Sequence, residues 1–124
     1  MAIDPRGSDL KRFLEEDQTG PVVMLNLLRF VGGGGEASYV DYARAIAPFL
    51  AKVGGEVVYA GRGSTVLVAE PGQAWDAVLL VRYPDRAAFC RMVADPDYQR
   101  ITHLRTVALE EAVLQATTPW LGSR

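Results

Sequence analysis

The sequence is poor in the residues that usually carry chemistry. It holds one cysteine, Cys90, and one histidine, His103. A single cysteine makes no internal disulfide and no cysteine-rich zinc site, and a lone histidine far from it supplies no metal cluster. Neither sign of charge dominates: thirteen Lys and Arg face fifteen Asp and Glu, for a formal net charge of -2. That balance leaves no electrostatic footprint for nucleic acid. Long hydrophobic runs are missing too. The longest, VVMLNLL and AVLLV, fall far below the roughly 18 residues of a membrane span. The opening stretch MAIDPRGSDLKRFLEED has no apolar centre and does not read as a secretory signal. These absences lead to the expectation of a cytoplasmic protein with neither a nucleic-acid nor a membrane partner. No G-x-x-x-x-G-K-[ST] occurs, so the run Gly32 to Gly35 reads as a flexible connection and not as a phosphate loop.

What is present is a core. A chain of 124 residues, 49% hydrophobic, suits one domain and not two. The expected organisation is an extension over residues 1–20, a main domain over 21–117 and a tail over 118–124. In the extension, Ser8 suits a cap for a helix over 9–17 with Leu10, Phe13 and Leu14 on one face, stopped by Thr19-Gly20-Pro21. Val22 to Val31 reads as an apolar strand. Ser38 is expected to cap a helix running to Val53, with Asp41 in its first turn, a kink at Pro48 and a stop at Gly54-Gly55. Glu56 to Gly61 and Thr65 to Glu70 read as a hairpin around Arg62-Gly63-Ser64. Ala77 to Tyr83 is the next strand. Asp85 caps one helix, and Asp95-Pro96 opens another that carries Tyr98, Ile101 and Leu104. Glu111 to Thr117 forms the last strand, although Val107 to Ala112 also reads as helix.

The order is a helix and then β-α-β-β-α-β, an α+β, ferredoxin-like arrangement with an antiparallel sheet. Such a sheet with one wet face should alternate apolar and polar residues. These strands do not. Val22, Met24, Leu28 and Phe30 share one side of the first strand, and Val23, Leu25, Leu27 and Val31 the other. In the strand Ala77 to Tyr83, Val78 and Leu80 oppose Ala77, Leu79 and Val81. Helices cover one face only. The other is expected to be covered by the same sheet of a second subunit, which predicts a homodimer.

A series of residues then stands out: Tyr39-x-x-Tyr42, Ala47-Pro48, Gly54-Gly55, a strand ending near Glu70, Trp75, Tyr83-Pro84-Asp85, and Asp95-Pro96-Asp97-Tyr98-Gln99 with Leu104-Arg105. Their order and spacing resemble the bacterial family known as domain of unknown function 1330, within the dimeric α/β barrel superfamily. The resemblance spans roughly Pro21 to Thr117. It implies a ferredoxin-like subunit and a dimer whose two sheets form a barrel. The N-terminal helix, the glycine run and the tail Pro119-Trp120-Leu121 depart from the family pattern. The family has no established reaction to carry over. Superfamily relatives include cofactor-independent monooxygenases, haem-degrading oxygenases, small-lactone isomerases and chlorite dismutase, so the scaffold does not choose a chemistry. Haem-degrading relatives use an Asn on the first strand and a Trp and a His on a later helix. Asn26 and His103 sit on loosely similar elements, but Trp75 precedes a strand. No cofactor is expected.

Six residues are candidates for a site. Asn26 interrupts an apolar strand, and its amide must find a structural hydrogen bond or a ligand. His103 titrates near neutrality and suits acid-base work, although a lone histidine is commonly a surface or capping residue. Arg82 ends a buried strand, where it either anchors an anion or pairs with Glu70 or Glu56 at the sheet rim. Tyr39 and Tyr42, three apart on a helix, either line a pocket or pack with their hydroxyls in water. Trp75 either lines the same pocket or anchors its loop, and Tyr59 offers a further phenol. Cys90 reads as an inert core thiol. Two functions follow. One is a cofactor-independent enzyme of oxygenase or isomerase type, with a small organic ligand bound between helices and sheet. His103 and Asn26 would be catalytic, and Tyr39, Tyr42, Trp75 and Arg82 would bind substrate. The alternative is a non-catalytic dimeric protein for small-ligand binding or interaction, with Trp120-Leu121 free to dock on a neighbour.

Overall fold

A computed structural model describes residues 3–16 and 20–121. Four strands, β1 (Val22–Phe30), β2 (Glu56–Arg62), β3 (Ala77–Tyr83) and β4 (Leu109–Thr117), form one sheet in the order β2-β3-β1-β4. Every pairing is antiparallel. The helices are α1 (Gly7–Glu15), α2 (Gly35–Val53), α3 (Arg86–Ala94), α4 (Pro96–Gln99) and α5 (Thr102–Ala108). This is the expected α+β, ferredoxin-like topology with an added N-terminal helix.

Side chains alternate along each strand, so the register sorts them onto two faces. Met24, Leu79, Val81, Tyr83 and Leu114 belong to the main apolar cluster, which Tyr42, Leu50, Phe89, Met92 and Tyr98 complete from α2, α3 and α4. Helix α1 joins this layer. Phe13 meets Phe89 edge to face at 5.6 Å, and the Arg86 guanidinium lies 4.7 Å from the Phe13 ring. A second cluster gathers Leu28, Ala108, Leu109 and Ala112. Leu28 is fully buried, a burial that contributes about 1.5–3 kcal/mol.

Several expectations are corrected. Helix α1 starts beside Arg6 and not at Ser8, and no side chain caps it. Asp9 in its first turn takes Arg6 Nε at 2.8 Å and Arg12 Nη2 at 3.2 Å, serving the helix N-terminus by charge instead. The expected helix end at Asp17 and the stop at Thr19 lie outside the described residues. Helix α2 starts at Gly35, three residues before Ser38. Gly33 and Gly34 take positive φ and turn the chain straight into it. Asp41 therefore sits beyond the first turn, and Glu36 occupies that place, holding Arg62 through two bonds of 2.8 Å. Gly35 has no room for a side chain, since a Cβ there would lie 2.6 Å from the Ala108 carbonyl oxygen.

Thr65 to Glu70 forms no strand. β3 pairs with β2, and residues 63–76 make one long connection. It closes tightly: Gly63 N–H donates to Asp76 O at 2.8 Å, and a Cβ at Gly63 would strike the Trp75 carbonyl. Leu67 and Val68 are 90% and 95% exposed there, so their strand-like pattern buries nothing. β4 starts at Leu109, two residues before the expected start, directly after α5. Asp85 and Asp95 cap as expected, accepting from Ala88 N–H at 2.7 Å and Asp97 N–H at 2.9 Å. Gly54 ends α2 in the left-handed conformation, and Pro48 lies inside that helix.

Candidate functional site

A cavity of about 520 Å³ lies between the sheet and the helices, within the range of small-molecule sites. Its floor is sheet: Met24 and Asn26 from β1, Leu79, Val81 and Tyr83 from β3, and Leu114 from β4. Its roof comes from α2 through Tyr39, Tyr42, Ile46 and Leu50, with Phe89 and Met92 of α3, Tyr98 of α4 and Arg105 of α5. Exposed Pro5, Ala43, Ala47 and Gln99 stand on its rim, so it opens to solvent.

A few polar groups stand in a mainly apolar lining. The Tyr42 and Tyr98 hydroxyls, both on buried residues, share a hydrogen bond of 2.8 Å. Tyr39 stacks obliquely on Tyr42, with ring centroids 5.4 Å apart. Burial pushes the Tyr42 phenol well above its ordinary pKa, and the neighbouring Tyr98 adds to the shift. Burial also raises Tyr83 and Tyr39, the latter opposed by the nearby Arg105 charge. The shifted phenols stay neutral at physiological pH and act as hydrogen-bond donors. Asn26 lines the same space, and its amide donates to the Met24 carbonyl at 3.3 Å.

Arg105 is the charged member of this group, and only 8% of it is exposed. Nη1 donates to Ile3 O at 2.7 Å and to Asp4 Oδ1 at 3.1 Å, pinning the N-terminal segment at the rim. Nη2 is buried and has no hydrogen-bond partner among the described residues. The sequence reading did not select Arg105. The available signal was its helical spacing from Ile101 and Ala108, which turns a guanidinium toward the apolar side. Tyr98 was read only as part of an apolar face; its hydroxyl is what matters here.

Of the six candidates, Asn26, Tyr39 and Tyr42 come together in the cavity. The other three do not. His103 is exposed on α5, with Nδ1 3.0 Å from the Arg100 carbonyl oxygen; the helix turns it outward while Arg105 turns in. Arg82 lies on the opposite face of the sheet, where Nη1 stands 3.9 Å from Glu56 Oε1, the rim pair that was its alternative reading. Trp75 stacks under the Arg29 guanidinium at 4.5 Å. Arg29 in turn donates to the Ala74 carbonyl, to Gly72 O at 2.8 Å and to Glu111 at 2.7 Å. Trp75 is thus an anchor for the 63–76 connection. Tyr59 folds over Gly61 at the sheet edge. Cys90 packs against the core, and burial raises its thiol. The hollow beside the glycine run is lined by the carboxylates of Glu36 and Asp76 and by Arg62, whose guanidinium is already held by Glu36. No group of His, Cys, Asp or Glu among the described residues could hold a metal ion. No helix there is long and apolar enough to cross a membrane.

The fold and cavity define a ferredoxin-like α+β protein with a pocket between sheet and helices. The chain belongs to the family described as domain of unknown function (DUF1330), whose model matches residues 34–117. Its structure matches that of the RPA0582 protein of Rhodopseudomonas palustris, a protein of unknown function, with a TM-score of 0.87 and 32% identity over 95% of this chain and 96% of that one. A methylated RPA0582 protein gives 0.90 and 31%, over 99% and 98%. A dimeric ferredoxin-like protein of unknown function from Jannaschia shares the fold at 0.62 and 12%, over 81% and 100%. So does a NIPSNAP domain protein from Burkholderia xenovorans, at 0.60 and 15%, over 83% and 98%. No functionally curated protein matches the chain.

Proposed function

We propose that the protein binds a small, mainly apolar organic molecule in the cavity between sheet and helices. The observation that carries this reading is the cavity itself: about 520 Å³, apolar in most of its lining, with Asn26 and the hydrogen-bonded Tyr42–Tyr98 pair among the residues that line it. A core of this size normally closes on itself. Here it leaves a space that opens to solvent and carries polar groups able to orient a guest. Thermal unfolding with phenylacetamide and octanol as probes tests the reading. Both should raise the midpoint of the wild type. Ala43→Trp, which fills the rim from an exposed position, should abolish the rise. A wild-type midpoint that neither probe moves contradicts the proposal.

The functional unit in this reading is a homodimer. Val23, Leu25, Leu27, Val78, Leu80 and Val113 occupy the sheet face away from the helices and make an apolar patch of a kind rare on monomers. The Jannaschia neighbour is described as dimeric. Sedimentation at micromolar concentration should give twice the subunit mass; a monomer contradicts this part.

The enzymatic reading, a cofactor-independent isomerase or oxygenase, draws support from the Tyr42–Tyr98 pair. Within the pair one hydroxyl donates to the other, and the accepting hydroxyl keeps its own proton to donate to an oxygen on which negative charge develops. Its check is deuterium exchange at C3 of a bound 2-oxo acid, the carbon next to its keto group, expected in the wild type and lost in Tyr42→Phe while binding persists. No exchange in the wild type removes this reading and leaves ligand binding standing.

A further inference from the structure

We infer that the ligand of the cavity carries an anionic group, a carboxylate in chemical class, and that Arg105 is its anchor. The inference rests on the binding role proposed for the cavity. A guanidinium has five donors in a fixed fork and is always charged. A buried donor left without a partner is costly, and more so on a charged group. Arg105 carries such a donor: Nη2 is buried and unpaired among the described residues, while Nη1 is occupied by Ile3 O and Asp4 Oδ1. The residue lines the same cavity as Tyr39 and Tyr42. Those phenols supply neutral donors, and no carboxylate other than that of Asp4 lines the cavity. A cavity with one cation, several donors and an apolar remainder complements a carboxylate at one end of an apolar body.

Asp4 bears on the same point. Its side chain is about half exposed, and it also accepts from Thr106 Oγ1 at 3.2 Å. It is a carboxylate already held by Arg105 at the rim, and an incoming carboxylate would share the guanidinium with it. The competing role for Arg105 is a clamp that only fastens the N-terminal segment.

The experiment pairs isosteres: phenylacetate against phenylacetamide, and octanoate against octanamide, by calorimetric titration at neutral pH. The wild type should bind each carboxylate about tenfold more tightly than its amide, as one charge-assisted bond provides. Arg105→Gln should bring the two to equal affinity, and Arg105→Lys should keep part of the preference. Because Arg105 variants can loosen the N-terminal segment, Asp4→Asn supplies a second arm on an exposed residue. It should raise the carboxylate preference severalfold by freeing the guanidinium. Equal affinity of carboxylate and amide in the wild type overturns the anchor while leaving the cavity as a binding site. An unchanged preference in Asp4→Asn together with Arg105→Gln assigns Arg105 the clamp role and overturns the anchor. Failure of all four probes to bind overturns both the anchor and the cavity reading.

Discussion

The two faces of the sheet are built from the same four strands and differ in where they put polarity. On the helix-covered face, polar groups sit in the middle: Asn26 at the centre of β1, the Tyr42–Tyr98 pair above it and Arg105 beside them. On the open face, Val23, Leu25, Leu27, Val78, Leu80 and Val113 make the apolar part, Gln115 and Thr117 stand beside them on the edge strand β4, and the charges lie at the margins as Arg82 with Glu56 and Arg29 with Glu111. A central polar group has to be satisfied inside, which favours a space with a guest. An apolar centre with a charged rim is the anatomy of a protein interface. One face thus reads as a pocket and the other as a docking surface, although in the sequence both belong to the same nearly unbroken apolar strands.

Substitutions can separate the two. Leu28→Ala removes the most deeply buried leucine of the covered face and should cost about 2–5 kcal/mol of folding stability, read from denaturant midpoints, without altering the state of association seen in sedimentation. Leu80→Asp on the open face should do the reverse. An unpaired carboxylate in a face-to-face contact should weaken association by on the order of a hundredfold, seen as monomers in sedimentation, while the cavity still takes up its probe. If Leu80→Asp leaves the dimer intact, the open face is not the interface.

Smaller effects probe the roof of the cavity. Tyr42→Phe leaves the Tyr98 hydroxyl without its partner and should cost about 1–2 kcal/mol, measured by chemical denaturation. Asp95 at the start of α4 is held below the ordinary carboxylate range, first by Asp97 N–H and then by Lys52, its ion-pair partner at 3.2 Å. A lowered folded pKa contributes stability that is present above the unfolded value, about 4, and lost as pH falls through the folded one. Stability should therefore decline on acidification below that range. Asp95→Asn, which keeps a capping side chain, should flatten this part of the curve.

Much of the fold was legible because strand periodicity, Asp caps and glycine stops are local signals. The sheet, the helix after Asp85 and the end of α2 at Gly54 follow from them. Thr65 to Glu70 misled because its short apolar run Val66 to Ala69 says nothing about a pairing partner, and β3 takes the available edge of β2. The start of α2 was missed because its N-terminus is set by two positive-φ glycines and the close approach of Gly35 to Ala108, not by a capping side chain. At the site, Asn26, Tyr39 and Tyr42 were legible as polar interruptions of apolar elements. Arg105 was not, because charge on a short helix reads as solvent-facing until the fold turns it inward. His103 drew attention by its chemistry, two positions away on the helix and facing solvent.

The central claim is that the covered face holds a ligand and the open face does not. A proton–nitrogen NMR titration of the uniformly labelled protein with phenylacetate tests it most directly. The account predicts saturable shifts at the Asn26 side-chain amide and at the backbone amides of Tyr42, Leu79 and Arg105, with Ala43→Trp suppressing them all. Shifts confined to the connection 63–76 or the exposed tail, or no saturable shift at any residue, would contradict it.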